Sequence, residues 1–379
     1  MLYDGSEWEE KNLDQKIEIA KKCPWHNSIY GKQSWGSWFH KISPYAGRLT
    51  PSFAHWLVKL FSEKGQTILD PFCGIGTVPL EANLQGRQSI GIDLNPYAVA
   101  ISRAKMDREP METQIEYLEK MMLDTTDVDL TQFSDWIRSY YNEDTLKEIV
   151  VARDRFKEDG KDFLLGCLIG ISQGHRPGHL SKPCAWTIPY KPKEDNSYRA
   201  VIPRMIEKVR RTYKGEYNLS PCGKIYHADS REMPLEDCSI DCIISSPPYF
   251  DTLDYINENR LRIGVMGYSV EDGKEIRDKL ITNKNTYLSE MEKVITEMDR
   301  VLKTNGLCIL VLGDWYRPNK PSVNTSEEIR KIMERYNFDY VDTVTDIIPP
   351  TKSVQRTTNS IEGYEKDERK DRILITRKR

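Results

Sequence analysis

The chain has 379 residues, enough for one large or two medium domains, with ordinary apolar (39%) and aromatic (10%) content. Its formal net charge of −3 argues neither for nor against a polyanionic partner, so only the local distribution of charge is informative. No apolar run approaches the ~18 residues of a membrane span. The eight cysteines lack paired zinc-ligand spacing, and the acidic N-terminus is unlike a signal peptide. These features predict a soluble cytoplasmic protein with reduced thiols, no metal and no membrane partner.

Residues 1–45 are rich in Trp and Tyr and show no regular period. Residues 50–65, TPSFAHWLVKLFSEKG, offer a Thr N-cap, Pro at the first helical position, apolar residues at helical spacing and a closing Gly, which predicts a helix. A short buried strand follows over 66–70, then a turn at Gly74 and Gly76, a helix over 77–84, a strand over 89–93 and a helix over 95–105. This β–loop–α–β order predicts a parallel sheet.

Between residues 106 and 221 the alternation disappears. A polar helix over 142–158 leads to an apolar one over 163–175. Residues 176–224 then hold 11 Lys/Arg against 4 Asp/Glu, interleaved with Trp186, Tyr190, Tyr198, Tyr213 and Tyr217. The α/β pattern resumes with strands at 224–227 and 240–245, helices over 255–266 and 287–302, a buried strand at 306–314, a helix over 326–336, and closing strands at 340–348 and 372–378.

The turn reads Asp-Pro-Phe-Cys-Gly-Ile-Gly-Thr. It is not a Walker loop, because no Gly-Lys-Ser/Thr follows, and it lacks the third glycine of a dinucleotide fingerprint. Asp93 ends the next strand 17 residues after Gly76, where a carboxylate accepts both hydroxyls of a ribose. A ribose-bearing ligand is therefore favoured, without need of a pyrophosphate. Asp229, just past a strand, is placed to meet an adenine amino group or else is a solvated loop acid. The strand over 240–245 runs into SSPPYFDTLDY. Proline lacks the N–H and fixes φ, so pairing stops there and a stiff loop begins.

Taken together, "DPFCGIGT", "GIDLNP", "HADS" and "SSPPY" resemble the ordered motifs of S-adenosylmethionine-dependent DNA amino-methyltransferases, which modify N4 of cytosine or N6 of adenine. The resemblance covers about residues 43–105 and 224–315. It implies a Rossmann-like class I methyltransferase fold, a mostly parallel seven-stranded sheet with helices on both faces. The catalytic domain would comprise 1–105 and 222–379, and 106–221 would be an inserted target-recognition region.

Carried over by residue, Asp70, Phe72, Gly74, Gly76 and Thr77 would surround S-adenosylmethionine, Asp93 its ribose and Asp229 its adenine. Tyr45 and Arg48 in SPYAGR would face its methionine carboxylate. Cys73 and Ile75 stand at variable positions and need no role. Ser246, Pro247, Pro248 and Tyr249 would form the catalytic loop, with Tyr249 stacking on a flipped base. Arg176, His179, Lys182, Lys191, Arg210 and Arg211 would contact double-stranded DNA.

Serine before Pro-Pro favours cytosine N4, with S-adenosylhomocysteine as product; adenine N6 is the alternative. A cognate restriction endonuclease is a candidate partner, and monomer and dimer are both open. RNA guanine-N2 methyltransferases, which share a DPFCG-type loop and Pro-Pro-Tyr, are the main rival. A carbon-5 cytosine enzyme would need a Pro-Cys nucleophile after an apolar strand, and Pro183-Cys184 and Pro221-Cys222 follow none. A non-catalytic nucleic-acid scaffold would not need the intact loop and SPPY.

Overall fold

The structure, a computed structural model, describes residues 10–32, 35–107, 109–185, 191–215, 223–248, 254–313, 315–317, 320–347 and 370–379. The Trp-rich N-terminal stretch, which showed no period, is a packing segment. It forms α1 (Leu13–Ala20), two 3-10 turns (Pro24–His26 and Trp38–Lys41) and α2 (Pro51–Phe61). Trp25 is buried against Phe53, ring centroids 4.5 Å apart, and its Nε1 donates to Asp346 Oδ2 at 2.9 Å. Thr50 precedes α2 as expected, but its side chain makes no capping bond.

A βαβα unit follows: β1 (Thr67–Asp70), α3 (Thr77–Leu84), β2 (Gln88–Asp93) and α4 (Pro96–Met106). Asn95 starts α4 by accepting from Tyr97 N at 3.1 Å, with Pro96 at the first helical position. The stretch without alternation is helical: α5 (Met111–Lys120), α6 (Asp135–Arg138), α7 (Glu143–Glu158), α8 (Asp162–Ile171) and α9 (Val201–Thr212). These helices share one apolar core with α4. Gly170 of α8 lies so close to the segment before the glycine loop that a Cβ on it would stand 2.1 Å from Ile42 O.

The sheet resumes with β3 (Gly223–His227) and β4 (Ile240–Ser245). Helices α10 (Tyr255–Glu258), α11 (Arg260–Val265), α12 (Val270–Lys279) and α13 (Tyr287–Val301) lead to β5 (Leu302–Gly313). A hairpin of β6 (Trp315–Arg317) and β7 (Lys320–Val323), α14 (Thr325–Glu334), β8 (Phe338–Ile347) and β9 (Lys370–Lys378) complete the chain.

The seven-stranded sheet has the order β3-β2-β1-β4-β5-β9-β8. Strands β1 to β5 are parallel, and β9 runs antiparallel to both β5 and β8. This is the mostly parallel Rossmann-like sheet typical of class I methyltransferases, as expected from the sequence. Strand order reverses between β1 and β4, and ligands of such sheets sit outside the carboxyl ends of the strands at that point. Two apolar layers, one on α13 and α14 and one on α2, cover the sheet. No described helix is long and apolar enough to cross a membrane.

Candidate active site

A cleft opens at the carboxyl ends of β1, β2 and β4, enclosing about 840 Å³ of non-protein space that is partly open to solvent. Its lining brings together Tyr45, Arg48, Asp70, Phe72, Gly74, Thr77, Asp93, Asp229, Ser246 and Pro248, residues spread over two hundred positions of sequence. Parallel strands in register cause this, because β1, β2 and β4 all end at one edge.

Asp70 ends β1, buried. Its Oδ1 accepts from Ser245 Oγ at 2.6 Å and from Phe72 N at 3.2 Å. Burial pushes its carboxyl up to about 7, against the pull of those hydrogen bonds. Asp93 ends β2. Oδ2 accepts from Gly74 N and Oδ1 from Asn95 N, both at 2.8 Å, so the carboxylate ties the glycine loop to the start of α4. Burial raises Asp93 to about 6, and main-chain N–H groups work the other way.

Asp229 is held differently. Arg231 forks onto it, with Nε 2.9 Å from Oδ1 and Nη2 2.6 Å from Oδ2, and the Arg231 N–H also donates to Oδ1 at 2.9 Å. Partial burial opposes ionisation, yet these bonds and the guanidinium charge hold Asp229 below the ordinary carboxylate range.

The glycines divide the work. Gly74 has φ +50° and presents bare backbone to the cleft, where a Cβ would be 3.5 Å from the Tyr45 ring. Gly76, φ +68°, lies outside the lining. A Cβ there would stand 2.8 Å from Ser102 Oγ, so its role is the left-handed start of α3 and close packing on α4. Pro247 is buried and also outside the lining. Tyr249 lies outside the described residues, as do Trp186, Tyr190, Tyr217 and most of the polar stretch 351–370.

The six basic candidates do not join the cleft. Arg176, Lys191 and Arg210 are exposed, while Lys182 and Arg211 are half-buried. The His179 ring packs on Gly174, where a Cβ would come within 2.5 Å of it, and burial lowers its pKa to about 4. At neutral pH it is therefore an uncharged packing residue and not a cation for phosphate.

Other lining residues escaped the sequence reading. Cys73 and Ile75, given no role there, line the cleft, together with Asn95, Ser230, Tyr255, Leu280 and Ile281. Tyr45 stacks on Tyr255, ring centroids 5.9 Å apart and planes 19° apart. Burial, the largest cause, and the Asp93 charge raise both hydroxyls well above their ordinary range. Leu280 and Ile281 follow α12 directly, and an apolar pair just past a polar helix is the signal that could have found them. Thr77, a lining residue, has its Oγ1 buried without a hydrogen-bond partner among the described residues, while the Asn95 side chain hydrogen-bonds the Tyr45 hydroxyl.

Residues 4–104 match the N6_N4_Mtase family model, described as DNA methylase. The Type II methyltransferase M.MjaII of Methanocaldococcus jannaschii is 29% identical over 128 residues, 31% of this chain and 23% of that protein. The tRNA (guanine(10)-N2)-dimethyltransferase of Methanothermobacter thermautotrophicus is 42% identical over 52 residues, 14% of this chain and 16% of that protein. The chain thus spans less than a quarter of the length of either relative. Among solved structures, TrmN from Thermus thermophilus aligns over 90% of this chain and 52% of its own, at 12% identity and a TM-score of 0.36. The match to the DNA methylase family thus covers residues 4–104, and the sheet to which they belong has the Rossmann-like form typical of class I methyltransferases.

Proposed function

We propose that this protein transfers the methyl group of S-adenosylmethionine to an exocyclic amino group of a nucleic-acid base. One observation carries the reading: Ser246 and Pro248, past the end of β4, line the same cleft as Asp70, Asp93 and Asp229. The residues fit the cofactor. The lining combines apolar surface with a few convergent polar groups, and the orphaned Thr77 Oγ1 is an atom that a polar ligand would satisfy.

S-adenosylmethionine, when bound, supplies an electrophilic sulfonium methyl. Asp93 would hold the ribose hydroxyls and Asp229 the adenine amino group, while Tyr45 and Arg48 would face the methionine part. Ser246 Oγ would accept a hydrogen bond from the target amine, as would the Pro247 carbonyl. An amine conjugated to a base ring has a delocalised lone pair and is a poor nucleophile; accepting its protons favours the tetrahedral nitrogen that can attack. The protein's contribution is then orientation and electrostatics. The Pro-Pro segment keeps the acceptors stiff.

DNA is the first reading, supported by the family matched over residues 4–104, with cytosine N4 favoured by the serine before Pro-Pro. The comparisons support the wider class better than cytosine N4 alone. Guanine N2 in RNA is a second reading, favoured by the 42% match to the tRNA enzyme. Residues 106–221 would grip the nucleic acid in either case. The test is to express the protein, digest host DNA and tRNA to nucleosides, and identify methylated species by mass. N4-methylcytosine or N6-methyladenine in DNA supports the first reading, and N2-methylguanosine in tRNA supports the second. No new methylated nucleoside, together with no binding of S-adenosylhomocysteine, would overturn both.

A further inference from the structure

Asp229 is not the end of its network. The Arg231 guanidinium that forks onto it also donates from Nη1 to Glu290 Oε2 at 2.5 Å and from Nη2 to the Lys279 carbonyl at 2.9 Å. Glu290 belongs to α13 and is also paired with Lys293 at 2.9 Å. Lys279 is the last residue of α12, and the next two residues, Leu280 and Ile281, are cleft lining. Ile281 belongs to the apolar cluster on which Phe72 of the glycine loop packs. Ser230, between Asp229 and Arg231, donates through Oγ to the Pro71 carbonyl, tying this turn to the loop after β1. One guanidinium therefore joins an ionised acceptor, an apolar wall and a long helix.

We infer that Arg231 is a positioning residue that sets the selectivity of the cleft for a 6-amino purine. The inference rests on the cofactor reading above. An ionised carboxylate only accepts hydrogen bonds, so Asp229 suits an amino group at purine C6 and repels a carbonyl oxygen there. The Arg231 N–H and Nε take up Oδ1, while Oδ2 accepts from Nη2 at 2.6 Å and shares Nε at a longer 3.1 Å, so the long Nε contact on Oδ2 is the acceptor position that a ligand amino group would take over. A planar guanidinium fixes that carboxylate in direction, which a point-charge ammonium does not. Its bond to the Lys279 carbonyl sets where Leu280 and Ile281 stand against the same ring.

The test is calorimetric titration of the full chain with S-adenosylhomocysteine and with its deaminated analogue, S-inosylhomocysteine. The wild type should prefer the amino form by about thirtyfold, the scale of a site that leaves a buried polar group mispaired. Arg231→Met should weaken the amino form about tenfold and leave the inosine form within about threefold, so that the preference collapses. Arg231→Lys should recover part of the affinity and little of the preference. Glu290→Leu keeps the fork and removes its anchor; should Arg231→Met fail to fold, this variant should still lower the preference severalfold. Equal weakening of both ligands, or no change, would overturn the inference and leave the cofactor reading standing. Wild-type protein that binds neither ligand would overturn the cofactor reading itself.

Discussion

The carboxylates on the two sides of the cleft are held in opposite ways. Asp70 and Asp93, on β1 and β2, are fixed by main-chain N–H groups of a tight βαβ unit and, for Asp70, by the Ser245 hydroxyl at the end of β4, and burial raises both. Asp229, past β3, is fixed by a guanidinium fork and held low. Same side chain, same cleft: the first wall should answer to pH and to loss of the carboxylate, the second to the identity of its charged partner. Neither wall contains the transferring machinery, which the proposed function puts at the end of β4.

The largest effect should separate β4 from both walls. Ser246→Ala should lower methyl transfer by a hundredfold or more, the scale of losing one oriented hydrogen-bonding group at a reacting centre. Binding of S-adenosylhomocysteine should stay within about twofold. Incorporation of labelled methyl into nucleic acid, read beside a titration of the same sample, checks this; retained transfer would remove Ser246 from the chemistry.

Asp93→Ala comes next. It deletes the acceptor proposed for two ribose hydroxyls and also frees Gly74 N and Asn95 N. Affinity for S-adenosylhomocysteine should fall about thirtyfold or more, taking charged hydrogen bonds at about 1.5–3 kcal/mol each. The preference for amino over inosine ligand, which belongs to the other wall, should survive. A variant that lost the preference along with the affinity would show that the walls are not independent.

The pH response sharpens the contrast. With folded-state values of about 6 for Asp93 and about 7 for Asp70, against an ordinary 3.8, both carboxyls take up protons in the free protein as pH falls through that window. A ligand whose hydroxyls donate to carboxylate binds the ionised form. Affinity should therefore rise about tenfold from pH 5 to pH 7.5 and then level, since each unit below a pKa costs about a factor of ten. Asp229→Asn should keep this rise and Asp93→Asn should flatten it. The free protein responds with the other sign: raised carboxyls contribute stability at low pH that is lost as pH climbs through 6 and 7. Titrations and melting curves across pH read the two together.

The difference between the walls also explains what could be read from sequence. Asp70, Gly74, Thr77 and Asp93 lie within one βαβ unit, so strand ends, glycine turn and acid follow from local period and spacing. Gly76 was legible as a special backbone position but not as a contact with Ser102, which needs the crossing of α3 and α4. Leu280 and Ile281 come from a stretch with no periodic signature and Tyr255 from the first position of an expected helix, and only the strand order brings them to the cleft, with Arg231 behind Asp229. In the helical stretch, Val201, Met205 and Val209 repeat at a helical spacing in α9, but the surrounding basic residues masked the pattern. The polarity of α5 and α12 hid them for a related reason: each buries only a narrow stripe.

The smallest predicted effect asks whether that helical stretch supports the first wall. Lys208 of α9 is buried, and its Nζ donates to the carbonyls of Lys41 at 3.0 Å and Ile42 at 2.7 Å. Those carbonyls precede residues 43–48, which carry Tyr45 and Arg48 into the cleft. Ser43 Oγ and the Pro44 carbonyl are tied to the Tyr97 hydroxyl, and Arg48 Nη1 donates to the His40 carbonyl at 2.6 Å. Burial lowers Lys208 to about 8. A neutral amine still donates two N–H bonds, so the tether should persist above that pH. Lys208→Met keeps the length of the side chain and removes the donors, leaving two carbonyls short of a partner at a cost of about 1–3 kcal/mol in stability. Part of that loss falls on the loop: affinity for S-adenosylhomocysteine should drop about threefold, with the amino preference of the Arg231 wall unchanged. An affinity equal to wild type in a variant that melts several degrees lower would mean that the helices touch this loop without holding it.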